Sequence, residues 1–342
     1  MNNSSGSRGN RPQSMKGGKP SLGWKGELKK LIEANNRNHG VRNKVVSVGT
    51  QVDREEILFM IFNQLRNLGY LIKNPDNFQE RHFKVLLRLW LGEGLSASTI
   101  QKRTSVIRVM TTWINKSNMI KKLALYVEPE ELHRVTRNQV AEVDRSWTQN
   151  GVSSQDIIKQ IEAYDNRSAA QMKMIEAFGL RREEALCFRP RRAIALGQES
   201  GSILVEFGTK GNRPRILQID SEEKRAALDY ALNIAKTIDE HIGWPELSLK
   251  QAIRRYNYIM EKFNITKKGL GVTGHGLRHE VLNDKYEEVT GQPSPVRGGK
   301  KESVDSTLDR KAREITTAIA GHSRLGVTAS YFGSFNAKKN YK

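Results

Sequence analysis

Along most of the chain, apolar residues recur at intervals of three and four, the spacing of one face of an α-helix. The stretch WKGELKKLIEANNRN, from Trp24, has this period. DREEILFMIFNQLRNLGYLI, Asp53 to Ile72, repeats it behind an aspartate in the N-cap position with acidic residues in the first turn. NFQERHFKVLLRLWLGEG follows and closes on glycine. SASTIQKRTSVIRVMTTWINKS opens on a Ser/Thr cap and puts Ile100, Val106, Ile107 and Met110 on one stripe, with Lys102, Arg103 and Arg108 on the opposite face. An all-helical, basic unit is therefore expected to about residue 120. Residues 121–150 are mixed and polar, as a linker is, and SSQDIIKQIEAYDN then opens a second unit.

The period changes once. In SILVEFGTKGNRPRILQI, Ile203, Val205 and Phe207 alternate, a Gly-Thr-Lys-Gly-Asn turn follows, and Ile216 to Ile219 return, which predicts a β-hairpin among helices. Residues 1–23 have no apolar period, are Gly/Ser-rich and basic, and read as a disordered arm. The expected fold is mainly α with one small β-sheet: an arm over 1–23, an all-α domain with its linker over 24–150, and an α+β domain with a short C-terminal tail over 151–342.

Charge narrows the partners. The 342 residues carry a net charge of +20, which points to a polyanion, nucleic acid before an anionic membrane. Neither a bilayer-spanning apolar run nor a signal-peptide pattern is present, so a cytoplasmic setting is expected. Cys187 is the only cysteine, so neither an intramolecular disulfide nor a thiolate metal cluster can form.

The candidate chemistry lies in the second unit, in a fixed order: Arg181 in FGLRREEAL, Lys210 in the hairpin turn, His275, Arg278 and His279 in TGHGLRHEVLNDKY, then His322 and Tyr331 in GHSRLGVTASY. Each alone is commonplace in so basic a chain. Together they suit one task. His275, Arg278 and His279, at i, i+3 and i+4, share a helix face. Arginine forks match phosphate oxygens and stabilise the extra charge of a pentacoordinate transition state. A tyrosine hydroxyl needs help to lose its proton, and a lysine can protonate a leaving oxygen. No carboxylate cluster for a divalent metal accompanies them, so no cofactor or metal is expected.

The order Arg, Lys, His-x-x-Arg, Gly-His, Tyr resembles the signature of the tyrosine recombinase (phage integrase) family, and the resemblance covers roughly residues 24–335. It implies Tyr331 as nucleophile of a 3′-phosphotyrosyl bond, Arg181 and Arg278 on the non-bridging oxygens, and Lys210 as general acid. It further implies His275 as an aid to proton transfer from the tyrosine, His322 as a hydrogen-bond donor to the phosphate, and Glu184 and His279 in support. The helical unit looks like that family's core-binding domain, with Lys102, Arg103 and Arg108 toward DNA. The implied whole is a two-domain DNA clamp, cytoplasmic and nucleoid-associated, encoded by a bacterium or phage. It would act on double-stranded attachment sites as a homotetramer, with DNA-bending accessory proteins as further partners. The alternatives are a type IB topoisomerase-like enzyme, which shares the chemistry but works as a monomer, and a non-catalytic DNA-binding protein of the same fold. One departure stands out. Arg278 and His322 lie farther apart than that family usually has them, and the excess, around residues 287–311, is polar and Pro/Gly-rich like a surface loop.

Overall fold

The computed structural model describes residues 23–38, 45–197 and 201–335. The expected basic arm falls outside them, except that Gly23 already opens the first helix. Among the described residues, no helix is long and apolar enough to cross a membrane. The chain divides into two compact units between Arg137 and Asn138.

The first unit is all helical: α1 (Gly23–Asn35), α2 (Val48–Asn67), α3 (Glu80–Gly92), α4 (Ala97–Trp113) and the short α5 (Leu132–Val135). Its core joins Leu58, Ile61, Phe62 and Leu65 of α2 to Phe83, Leu86 and Trp90 of α3, and to the expected stripe Ile100, Val106, Ile107 and Met110 of α4. Burial of each such side chain stabilises the fold by about 1.5–3 kcal/mol. α2 starts five residues before Asp53. Ser47 is its cap, with Oγ accepting from the Thr50 N–H at 3.3 Å, and Asp53 instead pairs with Lys102 of α4 at 2.8 Å.

The second unit contains α6 (Ser154–Tyr164), α7 (Asn166–Phe178), α8 (Arg182–Leu186), α9 (Pro190–Ala195), β1 (Ser202–Val205), β2 (Arg215–Gln218), α10 (Glu222–Ile234), α11 (Leu249–Lys262), α12 (Gly274–Thr290), α13 (Ser306–Ile319) and α14 (Ala329–Phe332). α7 is the hub. Ala169, Ala170, Met172, Met174, Ile175 and Phe178 are all buried, and the helix packs against α6, α10 and α12. The strands pair antiparallel, Ser202 opposite Gln218 and Val205 opposite Arg215. The first strand stops at Val205, two residues short of the expected alternation. Phe207 lies in the turn instead, where the guanidiniums of Arg189 and Arg192 stack on its ring at 4.2 and 5.7 Å.

Two stretches read as irregular are tied into cores. Of residues 121–150, Leu123 and Val135 are buried in the first unit and Trp147 in the second. Isolated apolar anchors leave no period to detect. The polar excess after Arg278 extends α12 to Thr290 and starts α13 at Ser306. The turns between are fastened by Ser294, whose hydroxyl donates to Asn283 Oδ1 at 2.5 Å, and by Arg297, which pairs with Asp144, Asp284 and Glu287.

Candidate active site

α8 is preceded by Arg181 in extended conformation. Glu184, in the first turn, accepts the Arg181 backbone N–H at 2.7 Å and its Nη1 at 2.6 Å, so one carboxylate fixes both the cap and its side chain. The same carboxylate takes a two-pronged grip from Arg215 of β2, Nη1 at 2.8 Å and Nη2 at 2.7 Å, and lies 4.0 Å from Arg278 Nη1. Glu184 is fully buried. Burial alone would raise its carboxyl, but the hydrogen bonds and charge of Arg215, with the N–H and charge of Arg181, outweigh it and hold the pKa at about 2.

The Gly-His pair caps α13. The Gly321 N–H reaches Ala318 O at 2.9 Å and the His322 N–H reaches Thr317 O at 3.0 Å, the paired bonds of a Schellman motif with Gly321 in the left-handed region at φ +61°. A side chain at Gly321 would also press within 3.2 Å of Arg215. This turn leaves Ala320 O facing the site. Arg181 Nη2 donates to it at 2.6 Å and Arg278 Nη2 at 2.7 Å, so one carbonyl at the negative end of a helix sets the two guanidiniums side by side. Arg278, on α12, is fully buried and also donates through Nη1 to Gly179 O.

Tyr331 stands on the four-residue α14, seated by fully buried Phe332, which packs against Tyr286 of α12 at 5.1 Å. Arg278 Nε donates to the Tyr331 hydroxyl at 3.3 Å, and His322 Nε2 lies 3.4 Å from it. The rings of His279 and His275 are 4.7 and 6.1 Å from that of Tyr331. All three imidazoles are pushed toward neutrality. For His322 burial comes first, then Arg181, Arg278, Lys210 and Arg215, giving about 4. For His279 burial comes first, then His275 and Arg145, giving about 3. For His275 crowding by protein comes first, then Arg278, Arg145 and Arg181, giving about 4. The His275 side chain is exposed, and the three cations act on it from the protein side.

Lys210 is exposed in the hairpin turn, and its charge is among those acting on His322. Gly208 lets the turn approach α8: a Cβ there would lie 2.3 Å from Glu183 O, at φ +69°.

Arg181, Glu184, Lys210, His275, Arg278, His279, His322 and Tyr331 thus gather around one point. The three cations of α4 lie in the other unit and are engaged there. Besides the Lys102–Asp53 pair, Arg103 stacks on Trp90 at 5.3 Å, and Arg108 donates to Ile120 O at 3.3 Å and to Lys121 O. Arg215 was not singled out from sequence. Its signal was its parity with Leu217, which puts a charge at a buried-face position of the strand. Arg215 Nε, His279 Nδ1 and Thr317 Oγ1 are buried without a hydrogen-bond partner.

The family model described as integrase matches residues 141–286, and the one described as phage integrase, N-terminal, matches 38–120. No curated protein sequence matches the chain. Among solved structures, a lambda integrase (75–356) dimer bound to a COC′ core site aligns with TM-score 0.56 at 13% identity, covering 92% of this chain and 98% of that one. The Tn1549 transposon integrase (82–397) in complex with circular intermediate DNA aligns with TM-score 0.53 at 16% identity, covering 90% and 95%. A lambda integrase tetramer bound to a Holliday junction aligns with TM-score 0.56 at 13% identity, covering 94% and 81%. At such identities these alignments speak for the fold, while the two family models together span more than half of the sequence. With the clustered residues above, they place the chain in the phage integrase family of tyrosine recombinases.

Proposed function

We propose that the protein is a site-specific DNA recombinase that cuts and rejoins strands through Tyr331, integrating or excising a mobile element or phage. The observation that carries this is the Tyr331 hydroxyl held between Arg278 Nε at 3.3 Å and His322 Nε2 at 3.4 Å. Arg278 can only donate, so its bond favours the developing phenolate. Each terminal nitrogen of Arg181 and Arg278 keeps a second N–H for the non-bridging phosphate oxygens. His322 donates to the same phosphate once the hydroxyl turns to attack.

In the first step the Tyr331 oxygen bonds to phosphorus as the bond to the 5′ oxygen breaks. The phenolic proton passes to neutral His275, and Lys210 supplies a proton to the departing oxygen. The product is a 3′-phosphotyrosine that keeps the bond energy. A 5′-hydroxyl from a second duplex then reverses each movement and releases Tyr331. Two duplexes need four such sites, so a homotetramer on double-stranded DNA is part of the proposal. The lambda integrase tetramer supports it by likeness of fold.

The test is a nicked suicide substrate carrying element DNA. Wild type should accumulate a covalent adduct, and paired sites should yield Holliday junctions. Tyr331→Phe should bind equally and form no adduct. An adduct of normal yield in that variant removes Tyr331 from the role, and relaxed circles without junctions would mark a topoisomerase.

A further inference from the structure

Ahead of α6, residues 144–147 form a strap over the start of α12. Three of the four are buried and fastened. Asp144 Oδ1 accepts the Ser146 N–H at 2.9 Å and its hydroxyl at 2.7 Å. Asp144 Oδ2 accepts Arg297 Nε at 2.9 Å, and Arg297 Nη2 reaches Ser146 Oγ at 3.0 Å. Trp147 donates its backbone N–H to Glu280 at 2.9 Å and its indole N–H to Thr273 O at 2.8 Å. The fourth residue, Arg145, is exposed. Its carbonyl rests on Gly276, where a Cβ would come within 2.5 Å, so its backbone is pressed against the turn that carries His275.

The guanidinium of Arg145 has no hydrogen-bond or ion-pair partner among the described residues. The other arginines of the site differ: Arg181, Arg215 and Arg278 all share Glu184. An exposed arginine is ordinary in so basic a protein, but surface arginines seldom sit on a backbone locked from both sides. The charge of Arg145 is also felt by both His275 and His279. Arg297, which holds the strap, comes from the polar excess between α12 and α13, giving that stretch a role as buttress.

We propose that Arg145 is a DNA contact of the active site, gripping a backbone phosphate beside the one that Tyr331 attacks, on a mount built by Asp144, Ser146 and Arg297. This rests on the recombinase reading and adds a phosphate position to it. An uncompensated guanidinium on a fixed backbone at the rim orients the strand before chemistry and draws it in electrostatically.

The experiment compares full-length wild type, Arg145→Ala and Arg145→Lys on one duplex carrying the cleavage site. Arg145→Ala should bind severalfold more weakly, with a slope of log affinity against log salt reduced by about 0.9, one phosphate's worth. Arg145→Lys should restore the slope. A scan of single neutral methylphosphonates should find one position, next to the scissile phosphate, that weakens wild type and leaves Arg145→Ala indifferent. A salt slope and scan identical to wild type in Arg145→Ala would overturn the proposal. Adduct formation by wild type is scored separately. If no adduct forms yet Arg145→Ala flattens the slope, the reaction fails and the contact stands.

Discussion

Glu184→Gln removes one charge and almost no volume from the point where three arginines meet. In the native state the carboxylate accepts four N–H bonds of 2.6–2.8 Å, three from guanidiniums and one from the Arg181 backbone. A glutamine offers one oxygen and turns an NH2 toward N–H donors. The depression of the carboxyl from 4.5 to about 2 corresponds to about 3 kcal/mol in favour of the charged form, at about 1.36 kcal/mol per unit. That agrees with the loss of about 3–5 kcal/mol when one partner of a buried ion pair is removed. Native-state hydrogen exchange at α7 and α12 reads this unit by itself, which matters in a two-unit chain. Protection there should fall by about two orders of magnitude in Glu184→Gln. Cleavage should fall further than DNA binding, because Arg181 loses the acceptor that fixes both its backbone and its fork.

The pH dependence gives a sharper check. A group whose folded pKa is depressed contributes stability above its unfolded value, and that stability is lost as pH falls through the folded one. For Glu184 the window runs from about 4.5 down to about 2. The gap between wild type and Glu184→Gln should be flat near neutrality and shrink by more than half by about pH 3. A gap below about 1 kcal/mol at pH 7, or one that stays constant to pH 3, would refute the assignment of Glu184 as the buried counter-charge.

Lys210→Ala should abolish cleavage of ordinary DNA and recover it when the 5′ leaving oxygen is replaced by sulfur, which departs without a proton; absence of rescue in single-turnover assays assigns Lys210 another role. Gly208→Ala drives a Cβ into the Glu183 carbonyl, so the hairpin must lift from α8 and the variant should share that sulfur rescue; wild-type cleavage of the oxygen substrate would show the turn is not so placed. His275, His279 and His322 are neutral in the fold and ordinary when unfolded, so unfolding takes up protons and the second unit should lose stability as pH falls from about 6.5 toward 4, less steeply in His322→Gln by urea titration. Deleting residues 1–22, with Arg8, Arg11, Lys16, Lys19 and no acid, should lower the salt slope by up to about 0.9 per cation and leave the cleaved phosphate unchanged, as mapped by footprinting; loss of a separate, distant protected site would indicate a folded arm domain.

The groups that cluster around Tyr331 were legible because their types are few and their order is fixed: an arginine entering a helix, a lysine in a hairpin turn, His-x-x-Arg, then Gly-His before a tyrosine. The helices were legible from their period, and α4 kept every residue of its expected stripe. What escaped was whatever depends on tertiary partners. Arg215 looks like any arginine of a basic chain until the strand register puts it on the face of Leu217. Arg145 carries no local signal, since its rigidity comes from Arg297, 152 positions away. The start of α2 was missed because Asp53 satisfies the sequence rule for a cap equally well, whereas in the structure Ser47 caps the helix and Asp53 pairs with Lys102 of α4.

The charges around Tyr331 give these details one logic. Arg181, Arg215 and Arg278 meet on one fully buried carboxylate, Glu184, while the charges of Arg145 and Lys210 act on the neighbouring histidines. Each histidine at the site is depressed, and arginine charge contributes to every depression, so the site is short of negative charge. A phosphodiester brings one negative charge to that place. On the proposed reading, its field should raise His275 and His322 toward their ordinary value, so DNA binding should take up protons. If His275 takes the tyrosine proton as proposed, the surrounding arginines keep its imidazole neutral before DNA arrives, and the shift would bring it closer to the pH at which proton transfer is most effective. Arg181 and Arg278, proposed to hold the transition state, would do so with little rearrangement, because Glu184 and the Ala320 carbonyl already fix them in place.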